Sequence, residues 1–120
     1  MRLPRISARV HDGAVLVAVE PGFDIDITNA ADLADLLLES VPSSARGMVL
    51  DLRQVEYVDS AGVRLLFGLA RHLSTSRQRL GLLLHESSPI RRLIAITKLD
   101  QVVAVCSDEA ACFAAVCADD

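Results

Sequence analysis

Aromatic residues and cysteines are scarce in this chain of 120 residues. Aromatics make up 3% of it and tryptophan is absent, so the chain lacks the side chains on which the bases of single-stranded nucleic acids stack. Its three cysteines, Cys106, Cys112 and Cys117, are odd in number and show no Cys-x-x-Cys spacing, which argues against a disulfide framework and a zinc knuckle. Any redox role of these cysteines is left open by the sequence.

Long apolar runs and an excess of basic residues are also missing. No stretch approaches the roughly 20 residues that a membrane-spanning helix needs, and Arg9, His11 and Asp12 interrupt any signal-peptide core near the start. Twelve lysines and arginines against sixteen acidic residues give a net charge of −4, and an acidic surface repels the phosphate backbone of nucleic acids. We therefore expect a cytoplasmic protein without direct membrane contact and without a nucleic-acid partner.

What the chain does contain is an alternation of strand-like and helix-like segments. Apolar stretches on either side of Asp12-Gly13 predict a hairpin of edge strands. The predicted strands cover residues 5–10, 14–20, 47–58, 79–86 and 102–107, and the predicted helices cover 30–41, 60–74, 87–100 and 107–120. Helix caps are expected at Thr28 or Asn29, Ser87 or Ser88, and Ser107 or Asp108. This order indicates one α/β domain, residues 1–120, with a mixed, mostly parallel central sheet of four to five strands and four helices.

The sequence Asp59-Ser60-Ala61-Gly62 stands where a predicted strand passes into a predicted helix. Asp59 or Ser60 could cap that helix, worth about 1 kcal/mol, but Gly62 in its first turn costs about 1 kcal/mol relative to alanine. A glycine there is explained by the close approach of another backbone, either from this fold or from a partner. Ser60 offers a hydroxyl at a helix start, where a phosphate suits the helix but disrupts a contact formed over the same surface.

The usual signatures of catalysis and metal binding are absent or weak. The sequence has no Gly-x-Gly-x-x-Gly, phosphate-binding loop, His-Glu-x-x-His or Gly-x-Ser-x-Gly motif, and no histidine is obviously placed as a base for Ser60. Asp24, Asp26 and Asp59 fall near one edge of the predicted sheet and have the chemistry of a hard-cation site, but solvated loop acids are the favoured interpretation. We expect no enzymatic activity, no metal site and no cofactor.

These motifs resemble those of STAS domains of the anti-sigma factor antagonist class. The similarity covers nearly the whole chain and rests on MVLDLRQVEYVDSAGVRLL, on GFDIDITNAADLADLL and on an Ile-x-x-Leu-Asp pattern before the last strand. It implies a bacterial partner-switching protein without catalysis of its own. Its unphosphorylated form would sequester an anti-sigma factor serine kinase and so release a sigma factor for transcription, and a metal-dependent serine phosphatase would restore that form.

The resemblance also assigns roles to individual positions. It makes Ser60 the phosphorylated serine, Asp59 the acid before it, Gly62 the motif glycine and Asp26 the acid of the earlier segment. The expected partner-binding surface joins that segment to the start of the helix and comprises Asp24, Asp26, Thr28, Asp59, Ser60, Ala61, Gly62, Arg64 and Gly68.

Three positions depart from the family's pattern. Ala61 stands where many relatives have a second hydroxyl residue, so Ser60 is the sole hydroxyl of the motif. Arg64 replaces a small residue and lies four positions after Ser60, within reach of a phosphate there. Lys98 stands where relatives often carry glycine after the short helix, so a left-handed residue there would cost about 1 kcal/mol.

Several alternatives remain open at this point. The chain could be a STAS subunit of a stress-signalling scaffold or of a lipid-transport ATPase complex, in which the same surface binds another partner. It could also be a receptor for a nucleotide or small molecule at the same edge of the sheet, and a homodimer is open. Leu65 and Leu69 either form an exposed apolar centre of the binding surface or widen the buried face of the helix.

Overall fold

Five strands and four helices form over residues 5–118, the part of the chain that this computed structural model describes. The strands are β1 Ile6–His11, β2 Ala14–Val19, β3 Gly47–Asp51, β4 Arg79–Leu83 and β5 Ala104–Cys106. The helices are α1 Ala30–Glu39, α2 Ser60–Thr75, α3 Pro89–Thr97 and α4 Glu109–Cys117, with a 3-10 turn at Leu99–Gln101 after α3. The predicted order of elements and the α/β class are confirmed, while the predicted end of the last helix falls partly outside the described residues.

The sheet has the strand order β1-β2-β3-β4-β5. β1 and β2 are antiparallel and are joined by a turn in which Asp12 and Gly13 have φ values of 50° and 86°, as a tight hairpin requires. All the other neighbouring strands are parallel. The prediction that both hairpin strands lie at the edge is wrong for β2, which also pairs with β3 because it is almost wholly buried and needs cover on both sides.

Helices cover both faces of the sheet. α1, α2 and α3 pack on one face and bury residues such as Leu33, Leu66 and Ile94. α4 covers the opposite face through a smaller cluster that includes Phe113 and Val116. Among residues 5–118, no helix combines the length and apolar character that a membrane crossing needs.

The third strand ends seven residues earlier than the sequence pattern predicts. β3 stops at Asp51, because the carboxylate of this buried residue accepts hydrogen bonds from the backbone N–H of Arg53 at 3.0 Å and from its guanidinium at 3.0 and 2.8 Å. These hydrogen bonds between Asp51 and Arg53 replace strand pairing and turn the chain out of the sheet. Residues 52–58 therefore leave the strand, although Leu52, Val55 and Val58 among them remain buried and produce an apolar pattern like that of a strand.

The helix boundaries follow the expected capping chemistry with one exception. The side chains of Ser88 and Asp108 cap α3 and α4, and Lys98 ends α3 with a left-handed φ of 63°. Asn29 occupies the cap position of α1, but its side chain makes no capping bond. That side chain is used instead to hold the preceding loop, as described below.

Candidate functional site

The Asp-Ser-Ala-Gly sequence lies at the carboxyl edge of the sheet beside the loop of residues 24–28. A single parallel bridge joins Ile25 to Val58. The Ile25 N–H donates to the Tyr57 carbonyl at 3.0 Å, and the Asp59 N–H donates to the Ile25 carbonyl at 3.0 Å. The structure thus places the two segments of the sequence-predicted surface side by side.

Asp59 fastens these two segments with both of its carboxylate oxygens. One oxygen accepts from the Gly62 N–H at 3.0 Å and caps α2. The other accepts from the Ile27 N–H at 3.1 Å and holds the neighbouring loop. Asp59 therefore has a structural role that fixes where α2 begins relative to the loop.

Gly62 is required by the close approach of that same loop. A Cβ atom at this position would lie 2.4 Å from Val58 Cγ1 and 3.0 Å from the Ile25 carbonyl oxygen. Such a contact cannot form without displacing one of the neighbours. The glycine is thus explained by a backbone from this fold, without recourse to a partner.

The loop is further held by Asp26 and Asn29. Asp26 accepts from the Thr28 hydroxyl and from its backbone N–H, and these hydrogen bonds lower the pKa of the Asp26 carboxyl. The buried Asn29 side chain donates to the Asp24 carbonyl at 2.7 Å and accepts from the Asp26 N–H at 3.1 Å. Asp26 and Thr28 thus lie at the site in a loop that is held by its own hydrogen bonds.

Asp24, Asp26 and Asp59 do not form a metal-binding group in the described part of the chain. No group of three or more histidine, cysteine, aspartate or glutamate side chains within residues 5–118 is arranged to hold a metal ion. Both oxygens of Asp59 accept backbone hydrogen bonds, and the Asp26 carboxylate is engaged by Thr28. The carboxylates therefore organise the loop.

Ser60, Arg64 and Gly68 form an exposed ridge along α2. Ser60 is the first residue of the helix, and its hydroxyl makes no hydrogen bond to any other described residue. Arg64 is exposed, and a Cβ on Gly68 would meet no atom within 4 Å. Ala61 is half-buried behind Ser60. Because they are spaced four residues apart, the three ridge residues lie on one face of the helix.

Leu65 and Leu69 are buried, with 8% and 3% of their surfaces exposed. The interpretation that they form an exposed apolar centre is therefore wrong, and they widen the core-facing side of α2 instead. Helical periodicity could not decide this, because α2 lies against both the sheet and α1, which broadens the stripe that must be apolar.

An open cleft between α2 and α3 borders Ser60, and sequence reasoning missed it. Its volume is about 790 Å³, and its walls are mainly apolar: Tyr57, Val58, Val63, Phe67, Pro89, Ile90 and Leu93. Ser60, Arg64, Glu56 and Asp59 supply polar groups to the lining. The sequence does carry one signal, the large apolar Phe67, which packs against the core but is only partly buried. The position of α3, however, cannot be predicted from spacing.

Comparison with known proteins defines the family. The family model described as the STAS domain matches residues 5–112, and the chain belongs to that family. A crystal structure of an anti-sigma factor antagonist from Mycobacterium paratuberculosis is 26% identical, with a TM-score of 0.79 over 94% of this chain and 93% of that chain.

More distant structures share the fold. A putative anti-sigma factor antagonist from Thermotoga maritima is 18% identical, with a TM-score of 0.78 over 92% of this chain and 93% of that one. The anti-sigma factor antagonist SpoIIAA in its unphosphorylated form is 17% identical, with a TM-score of 0.68 over 89% and 92%. The Bacillus cell fate determinant SpoIIAA in the phosphorylated form is also 17% identical, with a TM-score of 0.60 over 89% and 96%. Among curated protein sequences, none matches this chain significantly.

Proposed function

We propose that this protein is an anti-sigma factor antagonist that works as a phosphorylation-controlled binding switch. In its unphosphorylated form it binds an anti-sigma factor serine kinase in the bacterial cytoplasm and thereby releases a sigma factor for transcription. Phosphorylation of Ser60 by that kinase ends the complex, and a metal-dependent serine phosphatase restores the binding form. The protein itself contributes a surface and a phosphate acceptor, and ATP and the metal are held by its partners.

The observation that carries this proposal is the setting of Ser60. Its hydroxyl is exposed at the first residue of α2, while the residues around it are held by the Asp59 cap and the Ile25–Val58 bridge. A kinase can reach such a hydroxyl, and the fixed backbone beside it offers a preorganised contact surface. The proposed surface comprises the ridge of α2 with Asp59, Ala61 and Gly62, and the loop residues Asp24, Asp26 and Thr28.

A phosphate on Ser60 would change this surface more than it changes the fold. The group carries about −1.5 to −2 charges at pH 7, and the amino terminus of α2 favours an anion. A partner seated over Ser60 would instead meet that charge beside the carboxylate of Asp59 and at the rim of an apolar cleft. Because each 1.4 kcal/mol lost weakens binding tenfold, even a modest repulsion separates the two states.

The similar proteins support the proposed function. The similar Mycobacterium protein is named as an anti-sigma factor antagonist, and SpoIIAA has been solved in an unphosphorylated and a phosphorylated form. SpoIIAA, which shares the fold, therefore exists in a phosphorylated form.

Phosphate transfer to Ser60 tests the proposal directly. We expect the protein, incubated with ATP and an anti-sigma kinase from the same genome, to gain one phosphate by intact-mass analysis, and we expect Ser60→Ala to gain none. Ser74→Ala is a matched control, because Ser74 is also exposed and lies on α2 near its other end. Loss of the phosphate in Ser74→Ala but not in Ser60→Ala would contradict the assignment.

Binding to the same kinase tests the switch. The unphosphorylated protein and Ser60→Ala should bind it with similar affinity, whereas Ser60→Asp and the phosphorylated protein should bind at least tenfold more weakly. Calorimetry measures all four. Equal affinity of the phosphorylated and unphosphorylated forms would refute a switch, even if Ser60 were modified.

A further inference from the structure

We propose that Arg64 is the internal receptor for a phosphate on Ser60, binding the phosphate oxygens across one turn of α2 and holding the modified side chain at the rim of the α2–α3 cleft. This inference rests on the proposed modification of Ser60. It adds a regulatory residue to the switch, one that determines how much of the new charge a partner meets.

The first observation is that Arg64 has a charge without a partner. Its side chain is exposed and makes no hydrogen bond or ion pair with any other residue in the described range 5–118. Two other arginines, by contrast, are engaged with carboxylates: Arg53 binds Asp51, and Arg9 binds Glu109 at 3.1 Å. The nearest carboxylate in sequence, Asp59, already accepts two backbone hydrogen bonds. Arg64 is therefore available to an anion that arrives later.

The second observation is the geometry of the pair. Both residues belong to α2 and both line the same cleft. Four helical residues correspond to a rise of about 6 Å, and side chains at this spacing are neighbours on the helix surface. The arginine stem spans this separation, and its planar guanidinium matches two phosphate oxygens at once. The anion stands on the amino-terminal side of the cation, which is the order favoured by the helix dipole.

The third observation is the charge of the surroundings. The ionisable groups that share the cleft with Ser60 and Arg64 are Glu56, Tyr57 and Asp59, all from the segment before α2. The α3 wall supplies only uncharged residues: Pro89, Ile90, Leu93 and Thr97. A phosphate on Ser60 would thus face two carboxylates and one guanidinium, so that Arg64 is the side chain in this cleft that can offset its charge.

The consequence for the switch follows from charge neutralisation. A phosphate paired with Arg64 presents less net charge to an approaching partner than an unpaired phosphate would. The difference in affinity between the two forms of the protein is therefore smaller than the phosphate alone would create, and Arg64 sets that difference.

The test uses the full chain with phosphoserine installed at position 60 during translation, so that no kinase is needed. A phosphorus NMR titration gives the second pKa of the phosphate in wild type, Arg64→Gln, Arg64→Lys and Arg71→Gln. We expect Arg64→Gln to raise this pKa by about half a unit, because it removes a cation that favours the dianion. Arg64→Lys should restore part of the shift, since lysine keeps the charge but not the fork.

Arg71→Gln is the matched control. Arg71 is also an exposed arginine on the same side of α2. It lies eleven residues after Ser60, a rise of about 16 Å along the helix, so this variant should titrate like wild type. The chemical shift of the Arg64 side-chain Nε–H should also differ between the phosphorylated and the unmodified protein. Identical phosphate pKa values in Arg64→Gln and Arg71→Gln would overturn the proposal. That result would not affect the proposed modification of Ser60 by a kinase. Conversely, failure of the kinase to modify Ser60 would refute the proposed function but would not change the outcome of this titration.

Discussion

At the scale of single residues, Asp59 makes two structural hydrogen bonds with one side chain. One of its oxygens caps α2 and the other accepts from the Ile27 N–H, whereas Asp108 only caps a helix, at the start of α4. The acid of the motif is therefore needed for the shape of the site before any partner is present.

This difference predicts unequal costs for the two caps. Asp59→Ala should lower the free energy of unfolding by about 2 kcal/mol, because it loses a cap and a loop hydrogen bond, and Asp108→Ala by about 1 kcal/mol. Chemical denaturation measures both. Equal losses would show that the bond to Ile27 contributes nothing.

The buried thiol of Cys112 gives a prediction for alkaline pH. Burial raises the pKa of Cys112 from 9.0 to about 12, with a smaller contribution from the neighbouring Cys106 thiol. The folded state thus binds the Cys112 proton more tightly than the unfolded state does. The protonated thiol therefore contributes fully to the free energy of unfolding below pH 9, and this contribution is lost as the pH rises from 9 towards 12.

The free energy of unfolding should therefore fall more steeply in wild type than in Cys112→Ala as the pH rises from 9.0 towards about 12. In native protein at neutral pH, a thiol reagent should modify the half-buried Cys106 and Cys117 and spare Cys112. Parallel pH profiles for the two proteins, or rapid labelling of Cys112, would contradict this assignment.

At the scale of elements, α2 carries two glycines with opposite requirements. Gly62 is packed against Val58 and Ile25, while Gly68 faces open space. The same substitution at the two positions therefore separates close packing from helix propensity.

Gly68→Ala should raise the free energy of unfolding by about 0.5–1 kcal/mol, because alanine is the better helix former. Gly62→Ala should lower it by about 1–2 kcal/mol despite the same gain, because its Cβ overlaps its neighbours. Thermal and chemical denaturation measure both. Gly62→Ala should also weaken binding of the proposed kinase partner, because it displaces the 24–28 loop. Stabilisation by both variants would mean that the loop yields freely.

Local sequence chemistry predicted the elements well wherever it was strong. The Asp12-Gly13 turn and the helical period of α2 were predicted correctly, because each depends on neighbouring residues. Two caps were predicted only as pairs of adjacent residues, of which the structure uses Ser88 and Asp108. The strand predicted over 47–58 was too long, because Leu52, Val55 and Val58 are buried after β3 has ended at Asp51. The site motif was visible in the sequence, whereas the cleft beside it depends on how α2 and α3 pack and leaves no local pattern.

At the scale of the whole molecule, a chain of charges links three elements on the α4 side of the sheet. Arg53 binds the buried Asp51 after β3 and also approaches Glu109 of α4 at 3.4 Å, and Glu109 binds Arg9 of β1. The Asp51 side chain is 10% exposed, but that of Arg9 is 64% exposed. The inner and outer pairs therefore sit in different electrostatic surroundings.

Arg53→Ala should lower the free energy of unfolding by about 1–3 kcal/mol, because it leaves the Asp51 carboxylate buried with fewer partners. Arg9→Ala should cost less than about 1 kcal/mol, as exposed ion pairs do. Denaturant titrations at low and high salt distinguish them, since only the Arg9 effect should shrink with salt. A salt-insensitive, large loss in Arg9→Ala would contradict this ranking.

The hairpin turn at Asp12-Gly13 lies at the amino-terminal edge of the parallel strands, whereas Ser60 follows their carboxyl ends. A strand of five residues separates these edges by about 17 Å. A fluorescent reporter built into that turn would lie at the opposite edge of the sheet from the surface proposed to bind the kinase. The Asp12-Gly13 turn is thus a suitable insertion site for a fluorescent sensor of the proposed switch in living cells.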